Sequence, residues 1–95
     1  MDKTKRFQRD EKIVYREEED GAFLFDPDTG NLKYMNRTGK ETYLLLDDQT
    51  GVDKVIDRLM KLCPDTTRRQ IEMDVEVFIK ELEENGFISP LNREQ

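Results

Sequence analysis

The chain has 95 residues and a formal charge of −6, which suits one domain with one modest core. Charged residues make up 40 % of it and apolar ones 35 %, enough for packing, yet no run approaches the roughly 18–20 apolar residues of a membrane span. The acidic balance disfavours unspecific nucleic-acid binding and docking on anionic lipid, since both need Lys and Arg to meet phosphate.

Residues 1–11 are charged and aperiodic and are expected as a mobile tail. Lys3, Lys5, Arg6, Arg9 and Lys12 make this end basic, and the acidic run Glu17-Glu18-Glu19-Asp20 follows it. The two blocks fit either solvated segments or a docking patch for a partner protein. Ile13 to Glu17 is short and rich in β-formers and predicts a strand. Asp20-Gly21 signals a turn. Ala22 to Phe25 is a four-residue apolar run, expected as a strand buried on both faces or nearly so.

Asp26-Pro27-Asp28-Thr29-Gly30 is turn chemistry. Asp26 can accept from amides ahead of it, Pro27 presets φ, and Gly30 can take the left-handed conformation that returns the chain. The strand Asn31 to Met35 follows, with Leu32 and Tyr34 on one face and Lys33 and Met35 on the other. Asn36 is a good N-cap for a helix through Thr42, Tyr43, Leu44, Leu45 and Leu46 that stops near Asp47-Asp48. Gly39 in its first turn costs up to about 1 kcal/mol relative to Ala. It marks either a close backbone contact or a weak helix start.

After Gly51, Val52, Val55, Ile56, Leu59, Met60 and Cys63 recur at helical spacing, the cleanest amphipathic pattern in the chain. Cys63 is expected as a buried structural thiol. Pro64 ends that helix, and Asp65-Thr66-Thr67 can cap the next. There Ile71, Val75, Phe78, Ile79 and Leu82 form the core stripe. Asn85-Gly86 is a C-terminal signal after which Phe87 and Ile88 fold back, and residues 90–95 are expected as a tail. The order gives an α+β, winged helix-turn-helix-like domain over residues 12–89: a three-stranded antiparallel sheet followed by three helices.

Catalytic chemistry is missing. There is no histidine, which removes the commonest general base and metal ligand. The one cysteine makes neither an intrachain disulfide nor a zinc site. No glycine-rich phosphate loop follows a strand. The 22 carboxylates give close pairs by chance, so a pair is no sign of an acid–base site. The expectation is a protein that is no enzyme, with no catalytic residue, metal or cofactor, working in a reducing cytoplasm, since no secretory signal opens the chain.

Asp20-Gly21-Ala22-Phe23-Leu24-Phe25-Asp26-Pro27-Asp28-Thr29-Gly30, then Met35-Asn36-Arg37-Thr38-Gly39, then Asp74-Val75, Phe78-Ile79, Leu82 and Gly86-Phe87-Ile88 resemble the PqqD-like family. These are the RiPP recognition elements, which bind leader peptides of ribosomally made, modified peptides. The resemblance runs from about Ile13 to Ile88. It implies a winged helix-turn-helix-like fold in which a leader peptide adds as an extra strand beside the third strand, near the third helix. The implied partners are the precursor peptide and a separate maturation enzyme, a radical SAM protein or a leader peptidase, with no nucleic acid or membrane involved. Strand addition also agrees with physics: a free edge offers N–H and C=O groups for affinity, and alternate side chains give specificity.

On this reading Leu32, Lys33, Tyr34 and Met35 carry the edge. On the third helix Met73 and Val77 share a face well away from Val75, flanked by Asp74 and Glu81. They are either scattered surface residues or one wall of a peptide groove. Phe78, at the margin of the core stripe, fits both core and groove. Tyr34 fits sheet packing or an aromatic anchor for the leader. Arg68 and Arg69 fit solvated positions or partners for acidic leader residues.

A winged-helix DNA-binding regulator is the alternative. Against it, the third helix carries Glu72, Asp74, Glu76, Glu81, Glu83 and Glu84 where a recognition helix needs Lys and Arg. A homodimerisation domain that pairs through its own sheet edge is a further alternative, and monomer and homodimer both stay open.

Overall fold

A computed structural model describes residues 3–47 and 49–91 of the chain. Asp48 of the expected helix stop near Asp47-Asp48 and most of the tail expected over 90–95 lie outside them. Strand β1 (Phe7–Arg9) is followed by β2 (Val14–Glu17), β3 (Gly21–Phe25) and β4 (Leu32–Asn36). Helices α1 (Arg37–Leu45), α2 (Val52–Leu62) and α3 (Arg68–Glu84) come next, and β5 (Ile88–Pro90) closes the order. Strands β2, β3 and β4 form an antiparallel sheet in that order, so the expected three-stranded sheet followed by three helices is what the chain adopts.

The turn between β3 and β4 works as its residues require. The Asp28 amide donates to Asp26 Oδ1 (2.9 Å), the Gly30 amide donates to the Asp26 carbonyl (2.8 Å), and Gly30 takes φ +81°. Asp26 is only 2 % exposed. Burial opposes its charge, but the Asp28 amide, the Lys12 ammonium and Thr29 outweigh this and hold the carboxyl below the ordinary carboxylate range.

The helices begin at the caps their sequence offers and α3 ends at its own, but α1 stops at Leu45, with Leu46 as its C-cap, short of the expected end. Asn36 Oδ1 accepts from the Gly39 amide (2.8 Å), and the Thr67 hydroxyl accepts from the Gln70 amide. At the end of α3 the Phe87 amide donates to Leu82 O and the Gly86 amide to Glu83 O, with Gly86 at φ +80°. That pair of bonds is a Schellman motif, and it drives Phe87 and Ile88 into the core.

The core sits between the inner face of the sheet and the helices. Ala22, Leu24 and Met35 meet Val55, Ile56 and Leu59 of α2 and Val75, Ile79 and Leu82 of α3. Strand β3 alternates instead of being buried on both faces: Ala22 and Leu24 are fully buried, while Phe25 is exposed and Phe23 half-buried. Cys63 is the C-cap of α2 and half-buried, not a core thiol.

The largest departure from the sequence reading is at the N-terminus. Residues 1–11 were expected as a tail, but Phe7–Arg9 pairs antiparallel with β5, matching Phe7 to Pro90 and Arg9 to Ile88. Phe7 is fully buried, and its ring supplies the physical reason the segment is held. The segment also caps α2: the Asp53 amide donates to Lys3 O (2.7 Å) and the Val52 amide to Lys5 O (3.1 Å). The domain therefore begins before residue 12 and includes Pro90.

Candidate functional site

Two strands of the sheet have a free side, β2 and β4. Backbone pairing decides which groups each one offers. The Asp26 amide donates to the Asn31 carbonyl (2.9 Å), in register with the β3–β4 ladder. In an antiparallel pair bonded and non-bonded rungs alternate. Leu24–Lys33 and Ala22–Met35 are then the bonded rungs. The N–H and C=O groups of Leu32 and Tyr34 turn to the open side.

The two edges differ in their surroundings. Beside β2 stand ion pairs: Lys40 Nζ lies 3.1 Å from Glu17 and Arg16 Nε 3.0 Å from Glu18. Charges on an edge oppose the docking of another strand. Beside β4 runs α3, and the two elements meet through long side chains. Lys33 Nζ lies 3.0 Å from Glu81 Oε1 and 5.8 Å from the centre of the Phe78 ring. At the far end the Asn31 side-chain amide donates to the Asn85 carbonyl (3.2 Å). Lys33 thus bridges β4 to α3, and the gap between the open side of β4 and α3, with Phe78 on its α3 side, is the candidate cleft.

The side chains of β4 divide as its alternation requires. Lys33 and Met35 face inward. Met35 is only 1 % exposed and its backbone pairs with Ala22, so it belongs to the core and not to a surface that meets a ligand. Leu32 and Tyr34, 64 % and 51 % exposed, lie on the outer face. The Tyr34 ring packs on Phe23 with centroids 5.2 Å apart. A Cβ on Gly21 would collide with the Met35 carbonyl and come within 2.8 Å of the Tyr34 hydroxyl, so the missing side chain there makes room for the tyrosine. The ring is thus fixed on the outer face by its own sheet. Only the Tyr34 backbone faces the cleft.

On α3, Asp74, Phe78 and Glu81 recur on the stripe that faces the cleft. Phe78 also packs against the core, and so serves both. Met73 and Val77 are exposed on the side of the helix nearly opposite Val75 and Ile79, beyond the stripe. Arg69 is exposed in the first turn of α3, while Arg68 is held by Asp57 (3.0 Å) and Glu72 (3.3 Å). The structure thus brings Lys33, Phe78 and Glu81 together beside β4, while Asp74, one turn before Phe78, lines the hollow among the helices and accepts from Gln70. It leaves Arg69, Met73 and Val77 outside that group.

Two features were not identified from the sequence. The outer face of the sheet is apolar across all three strands: Val14 pairs with Phe25 and Phe25 with Leu32, and all three are exposed. The second is a hollow beyond Asn36, among the helices. Gly39 signals the latter, since a Cβ there would come within 3.3 Å of the Phe78 ring. Among the described residues no group of His, Cys, Asp and Glu is arranged to hold a metal ion, and no helix is long and apolar enough to cross a membrane.

A sheet of this order followed by three helices, with one strand left open beside the last helix, defines a winged helix-turn-helix-like α+β domain. Residues 21–88 match the model of the family described as coenzyme PQQ synthesis protein D, and the chain belongs to that family. A search of the curated proteins returns no match. Among solved structures the chain is similar to TbiB1, solved in complex with the TbiA(beta) leader peptide, at 17 % identity and a TM-score of 0.76 over 85 % of this chain and 93 % of that one. It is also similar to the heterocyclase TruD, at 12 % identity and a TM-score of 0.60, with 96 % of this chain covering 12 % of that one.

Proposed function

We propose that the chain binds the leader region of a ribosomally made precursor peptide and presents it to a separate modifying enzyme, without catalysing a reaction itself. The observation that carries this is the open side of β4. It offers the N–H and C=O groups of Leu32 and Tyr34 beside Lys33, Phe78 and Glu81. Membership of the PqqD family and the similarity to a protein solved with a leader peptide support the same reading.

The peptide adds as a fourth strand on β4. Backbone bonds supply affinity, and side chains that alternate between the cleft and the outer face supply specificity. In the cleft, apolar side chains meet Phe78, while Asp74 and Glu81 favour basic neighbours. Met73, Val77 and Arg69 lie further out and meet the flanks of a longer peptide.

The modifying enzyme, a radical SAM maturase or a leader peptidase, docks on the outer sheet face. Contiguous exposed apolar surface of the kind built by Val14, Phe25 and Leu32 marks interaction sites. A strand added to β4 widens that face, so the enzyme meets protein and substrate side by side.

Peptides selected from a displayed random library on the immobilised protein, and the leader of any precursor encoded beside its gene, test the binding. Saturable binding that Tyr34→Pro weakens roughly 30–150-fold is expected. Failure of every such peptide to bind would sink the reading. Under the alternative of a DNA-binding regulator, the acidic α3 would have to enter a groove of like charge. An electrophoretic shift at low salt is therefore expected to show no complex.

A further inference from the structure

Helix α2 carries a basic stripe on a chain whose net charge is −6. At 3.6 residues per turn, Lys54, Arg58 and Lys61 fall on one side of the helix, within about 10 Å along its axis. All three are exposed and lie away from Val52, Ile56 and Leu59, which α2 buries in the core. Several cations elsewhere are engaged: Lys3 with Glu72, Arg16 with Glu18, Lys33 with Glu81 and Lys40 with Glu17. Among the described residues none forms an ion pair with Lys54, Arg58 or Lys61, and Asp57, three residues after Lys54, is taken by Arg68 (3.0 Å). The stripe also works against its own helix. Like charges stand four apart at Lys54 and Arg58 and three apart at Arg58 and Lys61, and Lys54 sits in the first turn, where the helix dipole favours anions. Only Lys61, in the last turn, suits that dipole. Cations that neither pair within the domain nor steady the helix that bears them fit a contact made outside the molecule.

We infer that the outer face of α2 docks an acidic segment of a partner protein, through Lys54, Arg58 and Lys61. The inference stands apart from the reading of β4, whose open side lies beside α3. Charge complementarity selects the occupant: the stripe meets several carboxylates spaced over two helical turns and repels a basic partner. Leu62, exposed four residues after Arg58, gives the segment one apolar contact at the end of the stripe. The short reach of the stripe selects a protein over a phosphate polymer or a membrane. Nucleic acid and anionic lipid extend well beyond about 10 Å, and beyond the stripe they meet an acidic molecule, with Glu76, Glu83 and Glu84 exposed on α3. A carboxylate-bearing segment of matching length gains the stripe's attraction without that repulsion.

The probe is a peptide from a displayed random library, captured on the wild-type protein after removal of every peptide that binds the charge-reversed variant Lys54→Glu, Arg58→Glu, Lys61→Glu. Ligands of β4 bind both proteins and drop out. The expected survivors are rich in Asp and Glu, and on binding they shift the amide resonances of α2 while those of β4 stay in place. The neutral variant Lys54→Gln, Arg58→Gln, Lys61→Gln should bind such a peptide at least ~10-fold more weakly, and raised salt should weaken wild-type binding in the same direction. That variant should melt no lower than the wild type, because the cations do not serve the fold. A lower melt would assign them to the fold and overturn the inference. No surviving peptide, survivors that shift resonances outside α2, or a scrambled peptide of the same composition that binds equally would overturn it too. Duplex DNA or phosphatidylserine vesicles that bind the wild type and not the neutral variant would assign the stripe to phosphate and overturn the protein partner. Each of these outcomes leaves the reading of β4 intact.

Discussion

Replacing Tyr34 by proline separates folding from binding, because the Tyr34 amide points away from β3. Proline is tolerated in an edge strand where its missing N–H would face solvent. It also asks that Lys33 keep an extended conformation, which β4 already gives it. Within the domain, Tyr34→Pro therefore loses little more than Tyr34→Ala does: the ring's contact with Phe23, about 0.5–1.5 kcal/mol. For a bound strand the loss is larger. One hydrogen bond disappears and a peptide carbonyl is left unpaired, together about 2–3 kcal/mol, so Kd rises roughly 30–150-fold. Lys33→Pro does the reverse. It removes the bond to Leu24 and the ion pair with Glu81, and destabilises the fold by about 2–4 kcal/mol. Calorimetric titration with a selected peptide and chemical denaturation read the two effects separately. If Tyr34→Pro binds as tightly as Tyr34→Ala, the peptide does not pair with this edge.

Phe7→Ala empties a buried site and should cost about 3–5 kcal/mol, lowering the melting temperature by at least ~12 °C; an unchanged melt would return residues 7–9 to the status of a tail. Gly21→Ala places a methyl group against the Met35 carbonyl and the Tyr34 hydroxyl and should cost about 1–3 kcal/mol in denaturant unfolding. Because the folded-state pKa of Asp26 is depressed, its ionised form stabilises the fold at pH above the unfolded value near 4, and this is lost as pH falls through the folded value. Denaturation midpoints followed from neutral pH into acid should drop less for Asp26→Asn than for the wild type; parallel curves would contradict that role.

The sequence was most legible where local rules act alone. Asn36, Thr67, Gly30 and Gly86 are caps and turns whose chemistry depends on a few neighbouring residues, and the structure uses each as expected. The helical stripes of α2 and α3 were equally clear. Phe7–Arg9 was not, because a short strand among charges has no period of its own. It is held by a partner some eighty residues away in sequence, and long-range pairing of this kind leaves no local pattern. The division of β4 was half visible. Alternation separated Leu32 and Tyr34 from Lys33 and Met35, but not which pair faces the core. Burial of Met35 answers that, and the Asp26–Asn31 bond decides which amides are open. The hollow depends on three helices at once, and Gly39 was its one trace in the sequence.

Amide hydrogen exchange by NMR tests the central claim most directly. In the free protein the Lys33 and Met35 amides should exchange slowly, since β3 holds them, while Leu32 and Tyr34 exchange fast. On adding a selected peptide, the Leu32 and Tyr34 amides should slow by at least ~10-fold, with the β2 edge at Tyr15 and Glu17 unchanged. Protection that appears along β2, or nowhere in the sheet while the peptide is bound, would contradict strand addition on β4.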